Sequence, residues 1–175
     1  MFNISTNSVI YDLKSSQYTD IRIIMFDAVD RKILQELQID GTLSQTALAE
    51  RVSASAASCW RRVKALEAAG TLRQVVRLVD AAAVGLTVNV LCHLRLKNHL
   101  PESTIAFERF ISSCPEIVEC FAMSGDWDYL LRVVAKDIAS YENFLRNHIL
   151  TNESVGAVSS SFALSLRKYT TALPV

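Results

Sequence analysis

The chain has 175 residues, and its 18 lysine and arginine residues balance 18 aspartate and glutamate residues, so its formal net charge is zero. This balance excludes a uniformly basic protein, and any binding to a polyanion must depend on local charge, on subunit geometry, or on both. Half of the residues are hydrophobic, as in globular proteins with a sizeable core. The sequence has no long apolar run and no basic N-terminal segment followed by an apolar one, so we expect no membrane span, no signal peptide and a cytoplasmic protein.

The cysteines and histidines do not suggest a metal site or an enzyme. Cys59, Cys92, Cys114 and Cys120 show no zinc-ligand spacing, and the three histidines do not cluster with them. Each cysteine lies in or beside an apolar run, where a reduced thiol acts as a small hydrophobe; thiol sensing is the alternative. Without a convergent nucleophile, base or phosphate-binding loop, we expect no catalysis, no metal and no cofactor.

Residues 1–24 show no clean period and are rich in serine, asparagine and threonine. We predict a poorly ordered N-terminal extension there. Met25 as the biological start and a genuine arm that packs on the protein are both open interpretations.

Residues 25–80 predict three helices, over 27–37, 44–52 and 55–70, with Asp27, Ser44 and Ser55 as caps. In the third helix the apolar residues share one face, and Trp60 lies beside it, where core packing is expected rather than base stacking. Ser58, Arg61 and Lys64 lie on the opposite, basic face. A strand over 71–78 follows, as in the wing of a winged helix-turn-helix. Arg73 on this strand either contacts phosphate or is simply solvated.

After a small-residue linker at 81–87, the pattern predicts a domain over 88–170 and a short tail at 171–175. Strands are predicted at 88–97, 117–123, 129–136 and 155–167, and helices at 103–113 and 137–149. This βαββαβ order is the ferredoxin-like arrangement, an antiparallel sheet with both helices on one face. Since apolar side chains also occupy the other face, we expect a second subunit to cover it.

Several motifs follow one another on the predicted elements: Asp27-x-x-Asp30-Arg31-x-Ile33-Leu34, Leu48-Ala49-x-x-Val52, Arg61-Arg62-Val63-Lys64-x-Leu66-Glu67-x-x-Gly70, Gly125-Asp126-x-Asp128-Tyr129, Lys136-Asp137-x-x-Ser140-Tyr141 and Leu173-Pro174. With these motifs, the chain from about residue 26 to the end resembles the Lrp/AsnC (feast/famine) transcriptional regulators. The resemblance implies an α+β fold, an N-terminal winged helix-turn-helix followed by a ferredoxin-like βαββαβ (RAM-type) domain for effector binding and oligomerisation. The Ser58-Cys59-Trp60-Arg61-Arg62 segment resembles the corresponding segment of local regulators of amino-acid degradation or detoxification.

For double-stranded DNA, the resemblance implies that the third helix enters the major groove. Arg61 is expected to read a guanine edge bidentately, and Arg62 to meet a phosphate, with an ion pair to an acidic neighbour as its alternative. Ala56 and Ala57 leave the start of this helix without side chains that can hydrogen-bond to base edges, so readout of DNA shape should contribute to specificity. The expected DNA-contacting residues are Ser44, Gln45, Ser55, Ser58, Arg61, Arg62, Lys64 and Arg73.

The resemblance also implies a small amino-acid effector held between ferredoxin-like domains, in a homodimer and possibly an octamer. A glycine turn exposes backbone N–H groups to a carboxylate, and an aspartate can hold an ammonium group; the alternative is that these aspartates only cap a turn. A scaffold whose helix-turn-helix binds a protein partner is the alternative function. The expected effector-binding residues are Ser124, Gly125, Asp126, Asp128, Ser159 and Ser161.

Overall fold

A computed structural model describes residues 26–175, and the predicted extension at 1–24 lies outside them. The described chain forms two compact units, a helical unit that includes 26–78 and Arg167–Val175, and a sheet-containing unit at Val79–Leu166. The residues predicted as a separate tail therefore belong with the helical unit.

Three helices form the first unit: α1 (Ala28–Ile39), α2 (Gln45–Arg51) and α3 (Ala56–Ala68). The three predicted caps are confirmed, since each cap side chain accepts a hydrogen bond from a backbone N–H of the first turn. Gly70, just beyond α3, has a φ of 72°, the left-handed conformation that favours glycine after a helix. The helices enclose one small core, formed by Ile33, Leu34, Leu48, Ala49, Val52, Cys59 and Leu66.

The C-terminal segment packs on α1 within this unit. The Gln38 side-chain amide donates to the carbonyl of Leu173 (3.2 Å) and accepts from its N–H (2.5 Å). Gln35 donates to the carbonyl of Val175 (2.9 Å), whose side chain packs against the core. A side-chain amide thus pairs with the backbone of a segment that lies 135 residues away in sequence.

The predicted wing strand is wrong. Residues 71–78 form no strand, and they pair with no strand in the part of the chain that the structure describes. A strand needs a hydrogen-bonded neighbour, and periodicity alone cannot supply one. Three valines and a leucine here are therefore left exposed: Val75, Val76, Leu78 and Val79.

The second unit has the predicted βαββαβ order: β1 (Val88–Leu96), α4 (Pro101–Ser113), β2 (Ile117–Ala122), β3 (Tyr129–Ala135), α5 (Ile138–Phe144, continuing as a π-helical turn over Leu145–Ile149) and β4 (Val155–Phe162). The sheet is antiparallel with strand order β2-β3-β1-β4, which confirms the ferredoxin-like topology. The prediction that the last strand reaches residue 167 is wrong. The Ala163 N–H bonds to Asn89, next to the first residue of β1, so no partner strand extends beyond that point.

The two faces of the sheet differ in what covers them. Helices α4 and α5 cover one face, where Val90, Cys92 and Leu94 on β1 are fully buried and Phe107 of α4 joins them. The alternate positions form what we call the open face. Following the strand register, its residues are Asn89, Leu91, His93, Arg95, Glu119, Phe121, Leu130, Arg132, Val134, Ala157, Ser159 and Ser161.

Candidate nucleic-acid interface and effector site

Helix α3 presents a basic and apolar outer face. Burial follows the predicted wheel, with Cys59 and Leu66 inside and Arg61 and Lys64 outside. Lys64 pairs with Glu67 (2.6 Å) one turn further along the same exposed surface. Within residues 26–175, Arg61 has neither a hydrogen bond nor an ion pair. Its guanidinium can therefore bind an incoming ligand without breaking an existing contact.

Arg62 is held by two carboxylates within the helical unit. It bonds to the carboxylates of Asp27 and Asp30, both at 2.7 Å, and its side chain is only 26% exposed. The bonds to Asp30 and then Asp27 raise the pKa of Arg62, while the backbone N–H of Asp30 and then Arg62 lower the pKa of Asp27. This ion pair ties α3 to the start of α1 and is the alternative that the sequence left open for Arg62.

The hydroxyl groups of Ser44 and Ser55 cap the N-termini of α2 and α3. Ser44 and Ser55 each accept a backbone N–H at 3.2 Å, from Ala47 and Ser58 respectively. A capping hydroxyl uses a lone pair for this bond and keeps its own proton for a second acceptor such as phosphate. Gln45, at the first position of α2, and Ser58, half-buried on α3, lie beside these caps.

Trp60 is placed differently from the prediction. We expected it to pack beside the core, but its side chain is 48% exposed on the outer face of α3. It lines a shallow, open hollow together with Gln45, Ala56, Ala57 and Arg61. Residue 60 follows the buried Cys59 by one position, a rotation of about 100°, which carries its ring out of the core. Arg73 lies on the exposed, unpaired segment after α3.

In the second unit, the predicted effector residues fall at two places. Ser124, Gly125, Asp126 and Asp128 form the connection between β2 and β3, with Gly125 at a φ of 108°. Asp128 accepts the N–H of Leu96 (2.7 Å), so this carboxylate fastens the connection to β1. Among the described residues, the carboxylate of Asp126 has no partner.

Ser159 and Ser161 lie on the open face of β4, opposite His93 and Leu91 of β1. The centroid of the His93 ring lies 5.9 Å from that of Trp127, which belongs to the β2–β3 connection. His93 is therefore close to both sets of predicted effector residues, those of the connection and those on β4. The Arg95 guanidinium lies 5.3 Å from the Trp127 ring and donates twice to the Asp126 carbonyl, at 2.8 and 2.6 Å.

These three residues, His93, Arg95 and Trp127, were not among the predicted site residues. The alternation of β1 places His93 and Arg95 on the open face, but only the fold shows that Trp127 lies close to them. No group of three or more His, Cys, Asp or Glu residues within 26–175 is placed to hold a metal ion. No helix in the same range is long and apolar enough to span a bilayer.

A capped helix-turn-helix with an exposed arginine on its second helix, joined to a ferredoxin-like unit, defines a class of two-domain transcriptional regulators. The sequence matches the family model for the AsnC-type helix-turn-helix domain over residues 26–67 and that for the Lrp/AsnC ligand binding domain over residues 89–173. The chain belongs to the Lrp/AsnC family of transcriptional regulators, and it is not an enzyme.

Similar proteins cover nearly the same length. The chain is 37% identical over 151 residues to the DNA-binding transcriptional activator DecR of Escherichia coli K12, covering 86% of this chain and 99% of that protein. It is 37% identical to the leucine-responsive regulatory protein of Rhizobium meliloti, covering 81% of this chain and 90% of that protein. Among solved structures, an AsnC family regulator from Agrobacterium tumefaciens matches with a TM-score of 0.81 and 44% identity (85% and 97% covered). A transcriptional regulator from Neisseria meningitidis in complex with L-Met matches with a TM-score of 0.82 and 35% identity (86% and 97% covered).

Proposed function

We propose that this protein is a cytoplasmic, dimeric regulator that binds double-stranded DNA through α3 and responds to a small amino acid. The observation that carries the DNA-binding part is the contrast between two neighbouring arginines. Arg62 is held by two carboxylates, whereas Arg61 projects from the same helix without an intramolecular partner among residues 26–175. A guanidinium of this kind can pair bidentately with guanine in the major groove.

The proposed DNA contacts divide into two groups. In the first group, Arg61 reads a base edge, and Ser58 and Lys64 lie before and after it on α3. Ser44, Gln45 and Ser55 lie at the starts of α2 and α3, where free backbone N–H groups and hydroxyl protons can bind phosphate. Arg73 is proposed as a phosphate contact of the segment after α3.

The open face supports the proposed dimer. Leu91 and Phe121 lie on this face, and Phe121 is 50% exposed. The Arg132–Glu119 pair, with Arg132 Nε 2.9 Å from a Glu119 carboxylate oxygen, adds a polar element that a partner can pack against. A dimer would present two α3 helices to two half-sites one helical turn apart.

The amino-acid effector is proposed for the region of the β2–β3 connection and the open face. Asp126 offers a carboxylate for an ammonium group, while Gly125 exposes backbone at a tight turn. His93 on β1 lies opposite Ser159 on β4, and its ring lies near Trp127 of this connection. Similar proteins named as leucine-responsive, or solved with L-Met, support the class of ligand, and we infer local control of amino-acid metabolism or detoxification.

The test is a binding titration of the intact protein on the DNA upstream of its own gene, repeated with each of the common amino acids. We expect the logarithm of the binding constant to fall linearly with the logarithm of the salt concentration, and the footprint to contain two half-sites. We also expect one amino acid, or a small group of them, to change the affinity for DNA. No footprint at any salt concentration would refute DNA reading, whereas a footprint that no amino acid alters would refute only the effector.

The dimer is tested separately by sedimentation. Phe121→Arg places a charge on the open face, on the edge strand β2, and is expected to yield monomers. The matched control is Leu150→Arg, at a 58% exposed site after α5, which should leave the assembly unchanged. A dimer that persists in Phe121→Arg would refute the open face as the interface.

A further inference from the structure

The hollow on α3 is open among residues 26–175. It is lined by Trp60 and the short side chains of Ala56 and Ala57, together with Gln45 and Arg61. Large aromatic side chains are usually mostly buried, so a Trp that is 48% exposed beside two alanines leaves an apolar surface uncovered. This surface lies on the same outer face of the helix as Arg61.

The surroundings limit what can occupy the hollow. An occupant must present an apolar group to the indole ring and the two alanines, and it must lie next to groups that suit Arg61 and Gln45. In the major groove one apolar group meets this description, the C5-methyl of thymine, which projects beside base-edge acceptors. Phosphate lacks such a group.

Resting on the proposed DNA reading, we propose that Trp60 and the two alanines form a receptor for a thymine methyl group. Trp60 and Arg61 are adjacent in sequence, so their side chains diverge by about 100° around the axis. They therefore address neighbouring base pairs, Arg61 a guanine and Trp60 a thymine within one or two steps of it. The two alanines, which leave the helix poor in hydrogen-bonding groups, then contribute directly to specificity.

The first experiment enriches binding sites for the full chain from random-sequence duplex DNA. Wild type, Trp60→Ala and the control Ile39→Ala are treated in parallel; Ile39 is an exposed residue at the end of α1. We expect wild type and Ile39→Ala to enrich a guanine with a nearby thymine in each half-site. Trp60→Ala should keep the guanine and lose the thymine.

The second experiment replaces each thymine of the enriched site by deoxyuridine, which removes the methyl group and leaves the hydrogen-bonding edge intact. Loss of one buried methyl corresponds to about fourfold weaker binding per half-site. We expect this penalty at one position for wild type and none at that position for Trp60→Ala. Ala57→Leu, which fills the hollow from an exposed site, should remove the penalty as well, whereas Trp60→Leu should retain part of it.

The outcomes separate this proposal from the function on which it depends. If no sequence is enriched by wild type, DNA reading fails and the methyl receptor fails with it. If a guanine-containing site is enriched but no uracil penalty depends on Trp60, only the receptor is overturned. A change in oligomeric state in Trp60→Ala with unaltered site preference would show that the hollow is a contact between copies of this chain, and would also overturn it.

Discussion

Arg61 and Arg62 are adjacent arginines for which the structure predicts opposite phenotypes. Replacing Arg61 by alanine removes an exposed guanidinium that has no partner among residues 26–175, so the fold should lose nothing. Replacing Arg62 by alanine removes both ion pairs between α3 and the start of α1. We expect Arg61→Ala to lose sequence-specific DNA binding at unchanged stability, and Arg62→Ala to lose stability at unchanged DNA affinity of its folded form.

The magnitude for Arg61 follows from the number of half-sites. A bidentate arginine–guanine pair contributes about 1–3 kcal/mol of discrimination. In a dimer that places two α3 helices on two half-sites, the loss doubles to about 2–6 kcal/mol, which is roughly 30-fold to 20,000-fold in Kd. The non-specific, salt-dependent affinity should fall far less, because the contacts to phosphate remain.

The assay compares three variants at one fixed salt concentration. Fluorescence anisotropy measures binding to the enriched site and to a scrambled duplex, and urea unfolding measures stability. Arg31→Ala, an exposed arginine of α1, is the control for the loss of one positive charge. It should match wild type in stability and keep the preference for the enriched site.

Two results would refute this reasoning. If Arg61→Ala kept its preference for the enriched site over the scrambled duplex, Arg61 would not be a base reader. If Arg62→Ala unfolded at the same urea concentration as wild type while losing DNA affinity, then Arg62 would contact DNA despite its two ion pairs.

Three further predictions concern stability. Ser160→Ala removes the hydroxyl that lies 2.5 Å from the buried Tyr141 hydroxyl, which should cost about 1–3 kcal/mol in urea unfolding; adding Tyr141→Phe should recover most of it, and a larger loss in the double variant would contradict this. Gln38→Ala removes the two hydrogen bonds that Gln38 makes to the C-terminal segment, so carboxypeptidase should trim the chain faster; an unchanged rate would mean that these two bonds do not hold the segment. The backbone N–H of Asp30, and then Arg62, lower the pKa of Asp27. The ionised Asp27 therefore stabilises the fold fully at pH values above the ordinary pKa of an aspartate, and this stabilisation is lost as the pH falls through the lowered pKa. Asp27→Asn should therefore flatten the acid limb of stability against pH, and an equally steep limb would contradict the linkage.

The features predicted correctly from sequence are those set by local chemistry. Asp27, Ser44 and Ser55 cap helices because each needs only its own next three residues. The alternation of β1 and the βαββαβ order likewise fix the topology and the covered face. The family follows from motifs placed on these elements.

The features that the sequence left open or predicted wrongly depend mostly on partners far away in sequence. The carboxylates that bind Arg62 lie 32 and 35 residues earlier, and periodicity cannot show which of two neighbouring arginines they hold. Trp60 lies at the edge of the helical apolar face, where a rotation of one position decides between core and surface. The role of Asp128 depends on Leu96 of β1, 32 residues before it.

The return of the C-terminal segment to α1 affects how the protein is made. Gln35 and Gln38 lie 140 and 135 residues before the groups they bind. On the ribosome the three helices emerge first and must wait, without these contacts, until the whole sheet-containing unit has been synthesised. The helical unit therefore acquires its last stabilising contacts only after the unit that follows it in sequence, and a tag fused at Val175 would lie beside α1.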